Sequence, residues 1–196
     1  PFFQGYVKIN PGDKQCAASC KSGLIQLDLD IHTSRQIQLH QGIERLLRQS
    51  KLPLEKSLDH FELKRLPAKV SRQVRSLLDG GFVDRAENLL AFGKSGSGKT
   101  HLLCGIAQEL VRQGRKVYFS TCSLLVQDLL IAKRDLKLSR VLKRLSGFDA
   151  LLIDDIGYVQ QSREEMEVLF TLLAERYERG SVLLTSNLAF SKWDQI

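Results

Sequence analysis

Residues 93–100 read Gly93-Lys94-Ser95-Gly96-Ser97-Gly98-Lys99-Thr100. This is the G-x-x-x-x-G-K-[ST] spacing, and each position has a physical reason. Glycines let the backbone wrap tightly, so that successive N–H groups point inward at phosphate oxygens. A helix that starts where the loop ends adds the partial positive charge of its N-terminus. Lys99 is a mobile cation for the β and γ phosphates, and the Thr100 hydroxyl is a ligand for Mg²⁺. Gly93 to Thr100, with His101 behind them, are therefore expected to hold the phosphates of a nucleotide.

A nucleotide bound with Mg²⁺ also needs a carboxylate at the end of another strand. The apolar run Ala150–Ile153 is followed by Asp154 and Asp155. It delivers Asp154 to the carboxyl edge of a buried strand, where ligands bind in open α/β sheets. Asp154 is expected to hold the metal, through water. Asp155 is the candidate general base for an attacking water. An aspartate reaches less far toward a γ-phosphate than a glutamate, so slow hydrolysis is expected. Thr185-Ser186-Asn187 closes a further apolar run. The Asn187 amide is expected between Asp155 and the γ-phosphate, where it orients water. The competing use of such an Asn is a turn or a helix cap.

These side chains need elements to carry them. Asn88–Phe92 reads as a buried strand that ends in the glycine loop. His101 to Arg112 has helical apolar spacing and stops at Gly114. Val117–Phe119, Asp149–Asp154 and Val182–Thr185 read as three more strands. Ser123 to Arg144 reads as helical, with a break near Asp135. Ser162 and Glu165 form a capping box. It opens a helix whose stripe is Met166, Leu169, Phe170, Leu173 and Tyr177, closed by Gly180. Arg176 and Arg179 at its end are expected to complement its C-terminus. Strands alternating with helices imply parallel strands joined by right-handed crossovers, an α/β sandwich. Upstream, Ile43 to Lys51 is a basic helix interrupted by Pro53. Leu52 to Pro67 is a linker anchored by Leu54, Leu58, Phe61, Leu63 and Leu66. Ala68 to Asp79 is a second helix, which stops at Gly80-Gly81. Leu54 and Phe61 are apolar candidates either for packing beside a nucleotide base or for simple core anchoring.

With 196 residues, 43% hydrophobic and 26% charged, the chain has an ordinary globular composition. That excludes collagen-like, low-complexity and wholly disordered classes. No apolar run reaches the roughly 18 residues a membrane span needs. The first residues have neither the basic start nor the long apolar core of a secretory signal. Four cysteines are too few for a disulfide scaffold, so reduced thiols in the cytoplasm are expected. Cys16 and Cys20 have no Cys/His pair after them at zinc spacing, and free thiols are expected there. Alternating runs around Tyr6–Ile9 and Leu24–Ile31 read as short strands.

The net charge of +7 is uneven. Residues 41–75 carry a net +5 and residues 112–144 a net +7, while the remainder is −5. A protein basic in two blocks can present a positive face to a polyanion. Over Ala132–Leu145, Lys133, Lys137, Arg140 and Arg144 fall on one helical stripe. Leu138, Val141, Leu142 and Leu145 take the opposite face. The stripe is expected to contact the phosphates of double-stranded DNA, independent of base sequence.

The chain resembles the IstB-like transposition helper ATPases, AAA+ proteins of the clade that includes DnaC helicase loaders and the DnaA initiator. The residues that carry the resemblance are Gly93–Leu103, Leu151–Tyr158 and Glu175–Asn187, supported by Leu46–Phe61 and Ser191-Lys192-Trp193. It covers about residues 42–196. It implies a P-loop three-layer sandwich with a parallel sheet, preceded by a basic helical linker. It implies ATP and Mg²⁺ at Lys99, Thr100 and Asp154, with Asp155 as the catalytic carboxylate and Asn187 as sensor 1. It implies ATP-bound homo-oligomers on DNA and a transposase as partner, or a replicative helicase in the DnaC-like alternative. It also places an arginine finger and a lid beyond Ile196. The resulting division is 1–41, an N-terminal segment without family likeness; 42–80, the basic linker; and 81–196, the ATP-binding core. A clamp that binds ATP without hydrolysing it is a further alternative. A small-molecule kinase would need an acceptor pocket with its own acid and base, and no such constellation is present.

Overall fold

A computed structural model of the chain describes residues 36–157 and 162–188. The chain divides into two units, Pro1–Gly42 and Ile43–Ile196. In the first, residues 36–42 are helical. The strands expected around Tyr6–Ile9 and Leu24–Ile31, the Cys16/Cys20 pair, Tyr158 and Ser191-Lys192-Trp193 lie outside the described residues.

The second unit is organised by four short apolar runs. They form β1 (Leu89–Phe92), β2 (Val117–Thr121), β3 (Ala150–Ile156) and β4 (Ser181–Ser186). All pair in parallel, in the order β1-β4-β3-β2. Alternate side chains leave opposite faces of the sheet. Ala150, Leu152, Val117 and Leu183 enter one core, and Leu151, Ile153, Tyr118, Val182 and Leu184 enter the other. Both faces are covered, which is why these strands read as continuous apolar runs. The first core is closed by α1 (residues 43–50), α2 (Ala68–Leu77), α3 (Gly81–Asp84) and α4 (Lys99–Arg112). The second is closed by α5 (Cys122–Arg134), α6 (Leu138–Ser146) and α7 (Arg163–Arg176). The result is the expected three-layer α/β sandwich.

Helix ends follow local chemistry where the sequence carries a signal. Gly114 has φ +87, and the Arg115 N–H closes onto the Leu110 carbonyl at 3.0 Å. Ser162 and Glu165 form both hydrogen bonds of a capping box at the start of α7. The end of α5 differs. Leu136 takes φ +56, the Lys137 N–H reaches the Ala132 carbonyl at 2.7 Å, and the Leu136 N–H reaches that of Lys133 at 3.1 Å. This is the hydrogen-bond pattern that Gly usually closes, here made on leucine.

The break falls near Asp135 as expected, and it corrects the single helix over Ala132–Leu145 and its stripe of four cations. Lys133 belongs to α5 and pairs with Glu167 of α7 at 2.9 Å. Lys137 is the N-cap residue of α6. Only Arg140 and Arg144 lie within α6, both exposed. The apolar face of α6 is as expected: Leu138, Val141, Leu142 and Leu145 all pack into the second core. The stripe of α7 also needs correction. Its buried residues are Val168, Leu169, Leu172 and Arg176, whereas Phe170 and Tyr177 are 71% and 72% exposed. Phe170 lies on the outer side of the helix, and Tyr177 sits in the turn that follows its last residue.

Arg176 does not complement its own helix end. Its guanidinium, 2% exposed, donates to the carbonyls of Leu145, Phe148, Asp149 and Ser181 at 2.6–3.2 Å. It ties the end of α6 to the starts of β3 and β4, and burial pushes its pKa down.

The linker runs along α4. The Gln108 side chain donates to the Pro53 carbonyl at 2.9 Å, and His101 Nε2 donates to the Ser57 carbonyl at 2.8 Å. Two 3₁₀ turns follow, Leu58–His60 and Leu63–Arg65. Leu58 sits so close to Gly105 that a Cβ there would stand 2.7 Å from its Cγ. Leu63 and Leu66 join the first core, but Leu54 is 58% exposed. Backbone anchoring by Gln108 at Pro53 leaves the Leu54 side chain outward, so Leu54 is not a base-packing residue.

Candidate nucleotide-binding site

The glycine loop spans the gap between β1 and α4. Gly98 has φ +84, and a Cβ on it would lie 3.1 Å from Cε2 of Phe61. Glycine is required there twice, for the left-handed backbone and for the approach of the ring. Phe61 in turn meets the His101 ring edge-on, with centroids 5.3 Å apart. Helix α4 starts at Lys99, so the N–H groups of its first turn have no partners inside the helix and face the loop end.

The side chains converge from three elements. Lys99 Nζ donates to the carbonyls of Gly93 and Lys94, both at 2.9 Å, and to Asn187 Oδ1 at 2.8 Å. The Asn187 amide donates onward to Asp155 Oδ1 at 2.7 Å. Asp154 Oδ1 accepts the hydroxyls of Thr100 at 2.7 Å and Thr185 at 2.5 Å. Thr185 also accepts the Asp155 N–H at 2.7 Å. Asp155 has φ +65, and the register of β3 against β4 shifts between Ile153 and Ile156. An irregularity of this kind re-aims a side chain beside a site, and Asp tolerates the left-handed conformation better than most residues.

Thus Lys99, Thr100, Asp154, Asp155 and Asn187 come together as expected. They line a cavity of about 300 Å³ with Ser95, Gly96 and Gly98. Lys94 contributes its carbonyl, and His101 lines the same cavity while its ring is held by the Ser57 carbonyl of the linker. Two further lining residues were not expected, Thr185 and Lys56. Thr185 had a signal: a hydroxyl after Val182-Leu183-Leu184, 1% exposed in the fold, must find partners. Lys56 had none, because nothing local ties the linker to α4. A second, more apolar cavity of about 640 Å³ meets the loop at Gly93, Ser97 and Gly98. Phe61, Leu66, Val70 and Leu77 form its wall.

The Thr100 hydroxyl and the Asp154 carboxylate face each other directly, one hard oxygen from each of two elements. This donor set suits Mg²⁺ held jointly with phosphate and water. Among the described residues no three His, Cys, Asp or Glu cluster into a protein-only metal centre. On α4, burial pushes the Cys104 thiol up to about 12. No described helix is long and apolar enough to cross a membrane.

The parallel sheet, the phosphate loop and the carboxylates at the end of β3 define a P-loop nucleotide-binding fold. Residues 12–196 match the IstB-like ATP binding proteins, and the chain belongs to that family. The match takes in most of the segment 1–41. The chain is 37% identical over 158 residues to an insertion sequence ATP-binding protein of Sinorhizobium fredii, covering 80% of this chain and 53% of that one. It is 39% identical over 155 residues to the insertion sequence IS21 ATP-binding protein of Pseudomonas aeruginosa, covering 79% and 58%. The chain therefore spans a little over half the length of these relatives. Among solved structures, AMPPCP-bound DnaA from Aquifex aeolicus has a TM-score of 0.65 at 19% identity, covering 74% of this chain and 46% of that one. The DnaC helicase loader has a TM-score of 0.62 at 21% identity, covering 70% and 79%. These two likenesses establish the fold.

Proposed function

We propose that this chain binds and hydrolyses ATP with Mg²⁺, binds double-stranded DNA, and assists a transposase as an ATP-bound oligomer. One observation carries the reading: the hydrogen-bonded run Lys99–Asn187–Asp155 beside the Thr100–Asp154 pair. It joins a phosphate cation, a polar amide and a carboxylate in one cavity. The relatives at 37% and 39% identity are named for insertion sequences, which favours a transposase over a replicative helicase as partner.

In this reading Lys99 exchanges its loop carbonyls for β and γ phosphate oxygens. Thr100 and Asp154 hold Mg²⁺, which neutralises charge on the phosphates when bound. Asp155 accepts a proton from water placed by the Asn187 amide. Thr185 holds both aspartates in position. The base occupies the apolar cavity, against Phe61 and the start of α2. On the other side of the sheet, Lys137, Arg140 and Arg144 offer exposed cations to a DNA backbone, and contacts of that kind are independent of base sequence.

Steady-state ATP turnover with and without duplex DNA, and identification of the partner this chain captures, with a transposase expected, test the proposal. ATP-dependent DNA binding with turnover supports it. ATP binding without turnover in either condition supports a clamp, and capture of a replicative helicase supports the loader reading.

A further inference from the structure

We propose that Lys56, carried by the linker, is a second phosphate cation of the same site and contacts the terminal phosphate of ATP. The inference rests on the ATP reading above. It starts from an imbalance. Asp154 and Asp155 give the 300 Å³ cavity two carboxylates, which Mg²⁺ at Thr100 and Asp154 would offset, and Lys99 is the one cation the loop supplies. A triphosphate brings more negative charge into that space. Lys56 lines the same cavity, is half-buried, and has no ion-pair partner among the described residues.

Its position is imposed by the linker's anchors on α4. The Lys56 N–H closes a turn onto the Pro53 carbonyl at 3.2 Å, and Gln108 holds that same carbonyl. On its other side, the Ser57 carbonyl is held by His101, and the Ser57 hydroxyl meets His60 Nδ1 at 2.9 Å. Leu58 is wedged against Gly105. Lys56 thus stands between fixed points on the helix that carries Lys99 and Thr100. The Cys104 thiol, one turn beyond Thr100, feels the charges of Lys56, Asp154 and Glu55.

The cavity assigns the phosphate. Lys56 shares its walls with Asp154, Asp155 and Asn187, the groups aimed at the terminal phosphate. It does not line the apolar cavity that meets the loop beside Phe61. A cation so placed discriminates ATP from ADP, and it couples the order of the linker to the presence of the third phosphate.

Titration of the chain with fluorescent ATP and ADP, for wild type, Lys56→Gln, Lys56→Arg and Lys99→Ala, tests this, with a thermal melt of each. Lys56→Gln is expected to weaken ATP about tenfold, as loss of one charge-assisted hydrogen bond does. ADP affinity and Tm stay at wild type, and Lys56→Arg retains most ATP affinity. Unchanged ATP affinity in Lys56→Gln, with Lys99→Ala unable to bind, overturns the inference and leaves the site reading intact. An equal loss for ATP and ADP with a lowered Tm also overturns it, since Lys56 would then only brace the linker. Undiminished ATP binding by Lys99→Ala overturns the site reading itself.

Discussion

The ammonium of Lys99 donates to Oδ1 of Asn187 at 2.8 Å, joining the start of α4 to the end of β4. The same amide group holds Asp155 from its nitrogen side. Asn187 is thus a tether between the residue proposed to hold phosphate and the residue proposed to activate water. Asn187→Ala should lower turnover by about 10²-fold, the usual cost of removing one positioned donor. ATP affinity should change little, because Lys99 keeps its loop partners. Steady-state kinetics beside a nucleotide titration separate the two effects.

Asp155 carries its carboxylate on left-handed backbone. Asn accepts that conformation as well as Asp. Asp155→Asn should therefore fold and bind ATP normally while losing about 10² to 10⁴ in turnover, the range of a general base. An unchanged kcat would show that water is activated elsewhere. Lys99→Ala should instead lose ATP binding, because no other loop residue supplies a cation from that position.

Arg176 has four carbonyl partners in the core, so it cannot reach a neighbouring subunit. Its removal should appear as instability. Arg176→Met takes the guanidinium donor from all four, although the Leu145 and Asp149 carbonyls keep the Phe148 and Ser181 N–H groups, and should cost about 3 kcal/mol, read as a drop in urea midpoint. Gly180→Ala should act the same way, because a Cβ at Gly180 collides with the Arg176 guanidinium.

The Cys104 thiol lies at about 12 in the folded chain against an ordinary 9.0. Below the ordinary value both states keep the proton and stability is unaffected. Above it the unfolded chain releases the proton while the folded chain retains it, so stability falls as pH rises toward 12. Cys104→Ala should flatten that alkaline decline in Tm. Alkylation mapped by mass spectrometry should find Cys104 unmodified in the native chain and modified in urea.

Substituting Arg140 and Arg144 by Gln should weaken duplex binding and reduce the salt slope by about 0.9 for each phosphate no longer neutralised. Substituting Lys133 should do less, because it is occupied by Glu167. An unchanged slope for the α6 pair removes that helix from the interface.

The sequence alone determined the features built from neighbouring residues. Eight consecutive positions suffice for the phosphate loop, since its backbone cradle closes within itself. The capping box at Ser162 and the stop at Gly114 are local for the same reason, and the apolar run before Asp154 announces a strand buried on both faces. Asn187 was legible because a polar residue ends such a run. Tertiary structure decided what depends on pairing across the fold. Placing β4 between β1 and β3 brings Thr185 between the two aspartates and Asn187 onto Lys99. Packing the linker along α4 brings Phe61 to Gly98 and Lys56 into the cavity, through anchors roughly fifty residues away in sequence. The burial of Arg176 goes against residue preference. It is stabilised by carbonyl contacts that exist only once the helices lie on the sheet.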